Sequence, residues 1–437
     1  MRFRDELSAS YVPSSSSAIP ITYTDFSTSK ILPTPAISPI TTRTPIKPGG
    51  NLKIVSSLPM TGASLTQTQT IVNAMALRVE QAGGKACGGK YTIVYEAWDD
   101  ASATLGRWDP VVETENANKA AADRSIVAYL GTFNSGAARL SIPILNRAGP
   151  LVMISPANAY PGLTHFVEDL TETDEPGKYY PSGVRNYARL SATDDFQGAA
   201  IVKLMVSLGI ETLYILDDQE VYGKGVADSV NFAATAAGIT VVAQEGYDPQ
   251  AADYKALMAK ISTSNAGGPP DAIFLGAFVD NNAAQVVKDK VAIMGDNETV
   301  KFIGPDGLFT AWLVYEAGEA AEGVYVTTPG FAIEDLGEKG QKFFADYAAV
   351  FGETKEPYAL MGYEAMNAAL KAIEDVCAAG GDPTDRAAVT AAVFAIRNFE
   401  GALGRWSFDE NGDISLPYFL AGRVESGTFV DYGTFTP

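Results

Sequence analysis

The chain has 437 residues, of which 46% are apolar, and its formal net charge is -20. This length exceeds that of one ordinary domain and allows two sizeable hydrophobic cores. The acidic balance argues against a nucleic-acid partner, because binding phosphates requires a basic face. The chain has a single histidine, His165, which argues against a histidine-based metal site and against a Ser-His-Asp triad.

Residues 1–50 differ from the rest of the chain in composition. They are rich in Ser, Thr and Pro, and the opening MRFRDELSAS lacks the apolar core of a signal peptide. Such a segment buries too little apolar surface to offset chain entropy, so the composition predicts a disordered tether. An export signal upstream of residue 1, or a misassigned start, would fit this interpretation. The alternative is an artefact at the start of the chain.

Two cysteines, Cys87 and Cys377, lie far apart in the sequence. Their spacing excludes a zinc knuckle and a CxxC redox pair. It leaves open two free thiols or one long-range disulfide. The sequence contains no apolar run of roughly 18 residues, so it predicts no membrane-spanning helix.

From Asn51 onward, apolar strand patterns alternate with helical patterns in two successive series. The first series has strands at 52–58, 91–95, 126–130 and 151–154, with helices near 69–82, 111–123 and 137–148. The second has strands at 185–190, 212–216, 240–243, 272–276 and 301–304, with helices near 195–208, 224–237, 253–262 and 281–294. This alternation predicts α/β lobes with doubly wound parallel sheets.

The end of the chain follows a different pattern. Helices dominate residues 338–396, and turn-rich strands follow at 402–408 and 416–432. The late helices need a sheet on which to pack, so at least one lobe is predicted to be discontinuous.

Candidate binding residues follow the strands, because ligands of open parallel sheets bind beyond the strands' carboxyl ends. The loop at 131–138 (GTFNSGAA) leads directly into a helix, whose free N–H groups and partial positive charge suit a carboxylate. Asn134, Ser135 and Gly136 are the candidates in this loop. The alternative is that Asn134 or Ser135 only caps the helix.

Two further loops follow strands in the same way. Residues 155–164 offer polar backbone stiffened by two prolines, and Asp306 occupies a tight turn after the strand at 301–304. Asp306 is a candidate acceptor for a ligand ammonium, with an ordinary turn-forming aspartate as the alternative.

Enzyme signatures are absent from the sequence. There is no GxxxxGK[ST], GxSxG or HExxH motif, and no strand leads into a Gly-rich dinucleotide loop. The acidic pairs 99–100 and 194–195 lie beside strand ends, where turn and capping roles are favoured over acid–base catalysis. We therefore predict no catalytic residue, no metal and no cofactor.

Several short motifs recur in a fixed order along the chain. They are SLPMTG (57–62), YLGTFNSGAA (129–138), ISPANAYPGLT (154–164), GPDG (304–307), AEGVYVTTP (321–329) and WSFDENGD (406–413). Their number, order and spacing over about 51–431 resemble the type I periplasmic-binding-fold solute-binding proteins of branched-chain amino acid ABC transporters.

The resemblance implies two lobes that are joined by three crossings and close on a small ligand. It places lobe one at 51–190 plus 327–402 and lobe two at 191–326 plus 403–437, with crossings near 186–193, 323–329 and 399–405. The implied function is the extracytoplasmic solute-binding component of an ABC importer that binds an amino acid-like ligand. The protein would be a monomer whose partner is an ABC permease, touching the membrane only through an upstream anchor.

The family's ligand contacts match individual residues of this chain. Ser135 matches the serine that grips the ligand carboxylate, and Asp306 matches the acid that receives the ammonium. The other matches are the loop backbone at Ala157, Asn158 and Ala159, the aromatic residues Tyr222, Phe278 and Tyr358, and the first-loop position Gln67.

This chain departs from the family pattern at positions that contact the ligand. Ala159 stands where a threonine is usual, and Asp306 replaces a longer glutamate. An insertion at 103–110 carries Trp108, which would either line the cleft mouth or pack on the lobe. Two functions from other classes stay open: a sensor domain of the same fold, and an enzyme on a doubly wound fold, such as a dehydrogenase.

Overall fold

The computed structural model describes residues 50–437. The predicted tether at 1–50 therefore lies, apart from its last residue, outside the described residues.

The described range contains two large sheets and two short hairpins. The strands are β1 (Asn51–Leu58), β2 (Lys85–Ala86), β3 (Tyr91–Asp99), β4 (Ala101–Ser102), β5 (Arg107–Trp108), β6 (Ile126–Gly131), β7 (Val152–Ser155), β8 (Tyr187–Arg189), β9 (Thr212–Asp217), β10 (Thr240–Gly246), β11 (Ala272–Gly276), β12 (Lys301–Gly304), β13 (Tyr325–Pro329), β14 (Phe399–Gly401), β15 (Gly404–Trp406), β16 (Phe419–Glu425) and β17 (Thr428–Phe435).

The α-helices lie between these strands and cover the sheets. They are α1 (Leu65–Gln81), α2 (Pro110–Ala122), α3 (Ser135–Asn146), α4 (Asp194–Ser207), α5 (Val221–Ala236), α6 (Lys255–Ile261), α7 (Ala284–Met294), α8 (Ala311–Ala317), α9 (Glu338–Phe351), α10 (Tyr358–Ala378) and α11 (Arg386–Phe394).

The first sheet has the strand order β2-β3-β1-β6-β7-β8 and is parallel except for the edge strand β2. Successive side chains of a strand point to opposite faces of the sheet, so each strand contributes side chains to two hydrophobic cores. Ile54 packs in the core formed with α1 and α10, whereas Val55 packs in the core formed with α2 and α3. The sheet is thus covered on both faces.

The second sheet has the order β10-β9-β11-β12-β13-β16-β17. It is parallel from β10 to β13 and ends in the antiparallel pair β16 and β17. Ile215 faces the core that contains α5, and its neighbour Leu216 faces the core that contains α7 and α8. The predicted α/β class with doubly wound parallel sheets is confirmed.

We call the first sheet with α1–α3 and α9–α11 the first lobe, and the second sheet with α4–α8 the second lobe. The chain passes between them three times: from β8 to α4, from β13 to α9, and from β15 to β16. The first lobe is discontinuous, because α10 returns to pack along α1. Gly362 permits this close approach, since a Cβ there would lie 2.7 Å from Ile71 Cγ2.

Two predicted lobe limits are wrong. Residues 327–329, assigned to lobe one, lie in β13, which pairs with β12 and β16 of the second sheet. The crossing predicted near 399–405 is instead the β14–β15 hairpin, which is fixed to α10. Glu364 Oε1 accepts a hydrogen bond from Ala402 N at 2.7 Å, and Glu364 Oε2 accepts one from Trp406 Nε1 at 2.8 Å. The other limits stay predictions.

The structure joins Cys87 and Cys377 in a disulfide, with a Cα–Cα distance of 5.7 Å. Of the two states that the sequence left open, the long-range bond is therefore the one observed. It ties the region of β2 to the end of α10, so it links the two chain segments of the first lobe.

A charged network holds the crossing from β8 to α4 against the crossing from β15 to β16. Buried Arg189 donates from Nε to Asp413 Oδ1 at 2.6 Å, and His165 pairs with both Asp413 (3.1 Å) and Asp195 (3.7 Å). Burial lowers the pKa of His165, but hydrogen bonds to Asp195 and Asp413 outweigh it and raise that pKa to about 9. The raised pKa favours the charged imidazolium of His165, which lies between the carboxylates of Asp195 and Asp413.

Candidate ligand-binding cleft

The start of α3 lies at the edge of the first lobe. Asn134 occupies the N-cap position with an extended backbone, but its side chain makes no capping hydrogen bond, and within residues 50–437 its buried Oδ1 has no partner. Ser135 is the first helical residue, and its Oγ accepts a hydrogen bond from Tyr160 N at 3.3 Å. The capping alternative therefore does not account for either side chain.

The second predicted loop packs against this helix start. Asn158 holds the two loops together: its Nδ2 donates to Phe133 O at 2.9 Å, and its Oδ1 accepts from Tyr187 Oη at 3.0 Å. Ala159 O accepts from Asp194 N at 2.9 Å, so this carbonyl connects the first lobe to the start of α4. Ala157 precedes these two residues in the loop and is buried.

Across the cleft, Asp306 follows β12 and is held by two tyrosines. Tyr222 Oη donates to Asp306 Oδ1 at 2.7 Å, and Tyr358 Oη donates to Oδ2. Burial raises the pKa of Asp306 to about 6, although hydrogen bonds from Tyr222 and Gln197 oppose the rise. Tyr358 lies in α10 of the first lobe and Tyr222 in α5 of the second, so residues of both lobes donate hydrogen bonds to this carboxylate.

Aromatic rings from both lobes surround the Asp306 carboxylate. Phe133 lies 5.3 Å from both Phe278 and Tyr358, measured between ring centroids, and Tyr222 lies 4.5 Å from Phe278. Phe133 was not among the predicted site residues. Its place beside Asn134, in the same loop after β6, is the signal that would have identified it.

Gln67 of α1 reaches the turn that carries Asp306. Its Nε2 donates to Asp306 O at 3.2 Å and to Phe309 O at 3.3 Å. The structure thus brings Gln67, Tyr222, Phe278, Asp306 and Tyr358 together. The remaining predicted residues form a second group, on the first-lobe wall that follows β6 and β7; they are Asn134, Ser135, Gly136, Ala157, Asn158 and Ala159.

Asp194, at the start of α4, is a further candidate site residue, which the sequence alone did not indicate. Its side chain is fully buried, and within residues 50–437 neither carboxylate oxygen has a hydrogen-bond partner. Burial, with the nearby charge of Asp306, raises its pKa well above the usual range, while Arg189 opposes the rise. The close packing of α5 contributes to this burial, because a Cβ on Gly225 would lie 3.5 Å from Asp194 Oδ2.

The two walls therefore differ in chemistry. The first-lobe wall presents a helix N-terminus and small side chains, which suit an anion. The opposite side presents the buried carboxylates of Asp194 and Asp306, which suit a cation. Among residues 50–437 no set of three or more His, Cys, Asp or Glu side chains is arranged to hold a metal ion, and no helix in this range is both long and apolar enough to span a membrane.

Comparisons with known proteins agree with this architecture. A family profile described as periplasmic binding protein matches residues 51–428. A Leu/Ile/Val-binding protein of Rhizobium johnstonii is 25% identical over 375 residues, which cover 85% of this chain and 91% of the relative.

Two solved structures share the fold at lower identity. The leucine-binding protein of Thermotoga maritima superposes with a TM-score of 0.74 at 22% identity, covering 88% of this chain and 99% of that one. A solute-binding protein of an ABC transporter from R. palustris, in complex with benzoate, gives a TM-score of 0.72 at 21% identity. The superposition covers 89% of this chain and 97% of that one.

Proposed function

Because this chain belongs to the periplasmic binding protein family, we propose that it binds a zwitterionic, amino acid-like solute in the cleft and delivers it to an ABC permease. The resemblance to the branched-chain amino acid binding proteins is confirmed. The family consists of solute-binding proteins that work outside the cytoplasm, so this protein is a binding protein and not an enzyme. A monomeric state stays a prediction.

The observation that carries the proposal is the buried pair Asp194 and Asp306. Asp194 is buried without a hydrogen-bond partner among residues 50–437, and the charge of Asp306 raises its pKa further, so a cationic partner is favoured beside this pair. A ligand ammonium beside Asp306 supplies that charge and leaves the ligand carboxylate to face Ser135 at the start of α3. Each end of a zwitterion would then make a charge-assisted contact, which fixes its orientation.

The aromatic residues support an apolar ligand side chain. Phe133, Phe278 and Tyr358 present rings from both lobes, and Ala159 adds no hydroxyl to the opposite wall. The Rhizobium relative is named for leucine, isoleucine and valine, whereas the R. palustris protein holds benzoate. An aromatic carboxylate has no cationic group that could pair with Asp194 and Asp306. We therefore favour an apolar amino acid as the ligand.

A thermal-shift screen with apolar amino acids and with benzoates tests the proposal. An amino acid at 100 times its dissociation constant should stabilise the protein by roughly 2.7 kcal/mol. Asp306→Asn should remove this stabilisation, while the control Asp253→Asn, at an exposed position outside the cleft, should keep it. Stabilisation by benzoates alone, or by amino acids equally in both variants, would show the proposal to be wrong.

A further inference from the structure

A short hairpin, residues 101–108, lies on the first lobe at the cleft. It pairs Ala101 with Trp108 and Ser102 with Arg107. Its turn sits directly on the loop after β1, because a Cβ on Gly62 would lie 1.8 Å from Gly106 O. Gly62 also has a φ of +96°, so a glycine is favoured there both by the space and by the backbone conformation. The hairpin is therefore seated firmly on the first lobe.

Trp108 places this hairpin beside the ligand-binding helix start. A Cβ on Gly136 would lie 2.8 Å from Trp108 Cζ2 and 3.6 Å from Val221 Cγ2. The indole therefore covers the first turn of α3, next to Ser135, at a point where the first turn of α5 also approaches. Of the two alternatives for the insertion, packing of Trp108 on the first lobe is the one observed, and a place at the cleft mouth stays a prediction.

Arg107 connects the hairpin to the second lobe. Its Nη1 lies 2.5 Å from Glu220 Oε1, immediately before α5, and 2.9 Å from Asn281 Oδ1. Asn281 is itself fixed, because its Nδ2 donates to Asp218 Oδ2 at 2.6 Å and its backbone oxygen accepts from Tyr247 Oη at 2.6 Å. Arg107 thus contacts two acceptors of the second lobe, and one of them, Asn281, is fixed by its own hydrogen bonds.

We propose that the hairpin at 101–108 is a latch that holds the two lobes closed through Arg107. Opening the cleft must separate the Arg107 guanidinium from Glu220 and Asn281. The side chains of Arg107 and Glu220 are only 25% and 20% exposed, so water screens this pair less than it screens an open surface pair. Because the contact exists only when the lobes meet, it slows opening and ligand release more than it affects ligand encounter.

The latch can be tested separately from the ligand. Spin labels on cysteines at Asn118 (α2) and Ala236 (α5), both exposed, report the distance between lobes by double electron–electron resonance in the protein without ligand. Arg107→Ala should shift the distance distribution towards longer, more open values. The control Arg405→Ala, which disrupts an Arg–Glu pair inside the β14–β15 hairpin, should leave the distribution unchanged.

A second measurement uses leucine as the probe in a stopped-flow release experiment. Arg107→Ala and Glu220→Gln should each accelerate leucine release roughly five-fold, a factor expected for a partly shielded ion pair. The exchange Arg107→Glu with Glu220→Arg should recover part of the slower rate. The latch is refuted if Arg107→Ala leaves the distance distribution unchanged. Failure of leucine to bind would count against the proposed function alone, since the distances decide the latch.

Discussion

Replacing Asp306 with asparagine should abolish ligand binding and yet raise the free energy of unfolding in the absence of ligand. Burial raises the pKa of Asp306 from 3.8 to about 6. A carboxyl whose pKa is higher in the folded protein than in the unfolded chain opposes folding when it is ionised. This destabilisation is fully present above about pH 6 and disappears as the pH falls towards the unfolded value.

The magnitude follows from the same two values. A rise from 3.8 to about 6, at about 1.4 kcal/mol for each pKa unit, corresponds to about 3 kcal/mol above pH 6. Asparagine removes this cost but has a single acceptor oxygen, so it can accept a hydrogen bond from only one of Tyr222 and Tyr358. We therefore expect a net gain of about 1–2 kcal/mol at pH 7.5.

Urea denaturation at pH 7.5 and at pH 4 measures the effect. The gain should be present at pH 7.5 and largely lost at pH 4, where the folded parent already holds the proton. The exposed control Asp253→Asn should show no comparable gain at either pH. A variant that is no more stable than the parent at pH 7.5, or equally stabilised at both pH values, would refute the reasoning.

Three further substitutions follow from the structure. Ser135→Ala removes the hydroxyl beside the α3 N-terminus and should weaken amino acid binding about ten-fold in calorimetric titration; normal affinity would place the carboxylate elsewhere. Because Tyr160 N then loses its acceptor, the free energy of unfolding should fall by about 1 kcal/mol. Cys377→Ser opens the long loop closed by the disulfide and should lower the free energy of unfolding, measured in urea, by about 3–5 kcal/mol. Adding a reductant should lower the stability of the parent protein by a similar amount and leave that of the variant unchanged. Glu364→Ala leaves Trp406 Nε1 and Ala402 N without their buried acceptor and should lower the free energy of unfolding by about 2–4 kcal/mol. Glu364→Gln keeps an acceptor and should lower it less. Equal losses in the two variants would contradict this account.

Local patterns were sufficient to predict most of the elements. Apolar runs and helical spacing placed β1, β6, β9, β11 and β12 within one or two residues of their observed limits. The lobe limit at residue 327, which the family resemblance implied, is misplaced, because β13 pairs with β16, a strand far along the chain. Such non-local pairing cannot be predicted from the local sequence around residues 325–329. That sequence is equally compatible with an extended connection between the lobes.

The candidate site shows the same limit. Positions after strands predicted Ser135 and Asp306 as candidates, because the carboxyl ends of parallel strands meet at one edge of each sheet. Asp194 was assigned to a turn or cap, since a capping aspartate and a buried aspartate without a partner have the same local sequence. What distinguishes them is the packing of α5 against α4, where a glycine lets the helix approach. That contact exists only in the folded molecule.

The bond between Cys87 and Cys377 also determines how the molecule responds to a broken backbone. The loop that it closes contains all the parallel strands of the second lobe and the first two of the three lobe crossings. One peptide cleavage anywhere within that loop yields two fragments that remain covalently attached to each other. A protease that nicks an exposed turn of the second lobe therefore does not release the pieces by diffusion, and the two fragments keep a high effective concentration for re-pairing. The disulfide makes residues 87–377 a covalently closed loop with a chain segment at each end, so one break in that loop leaves a single covalent molecule.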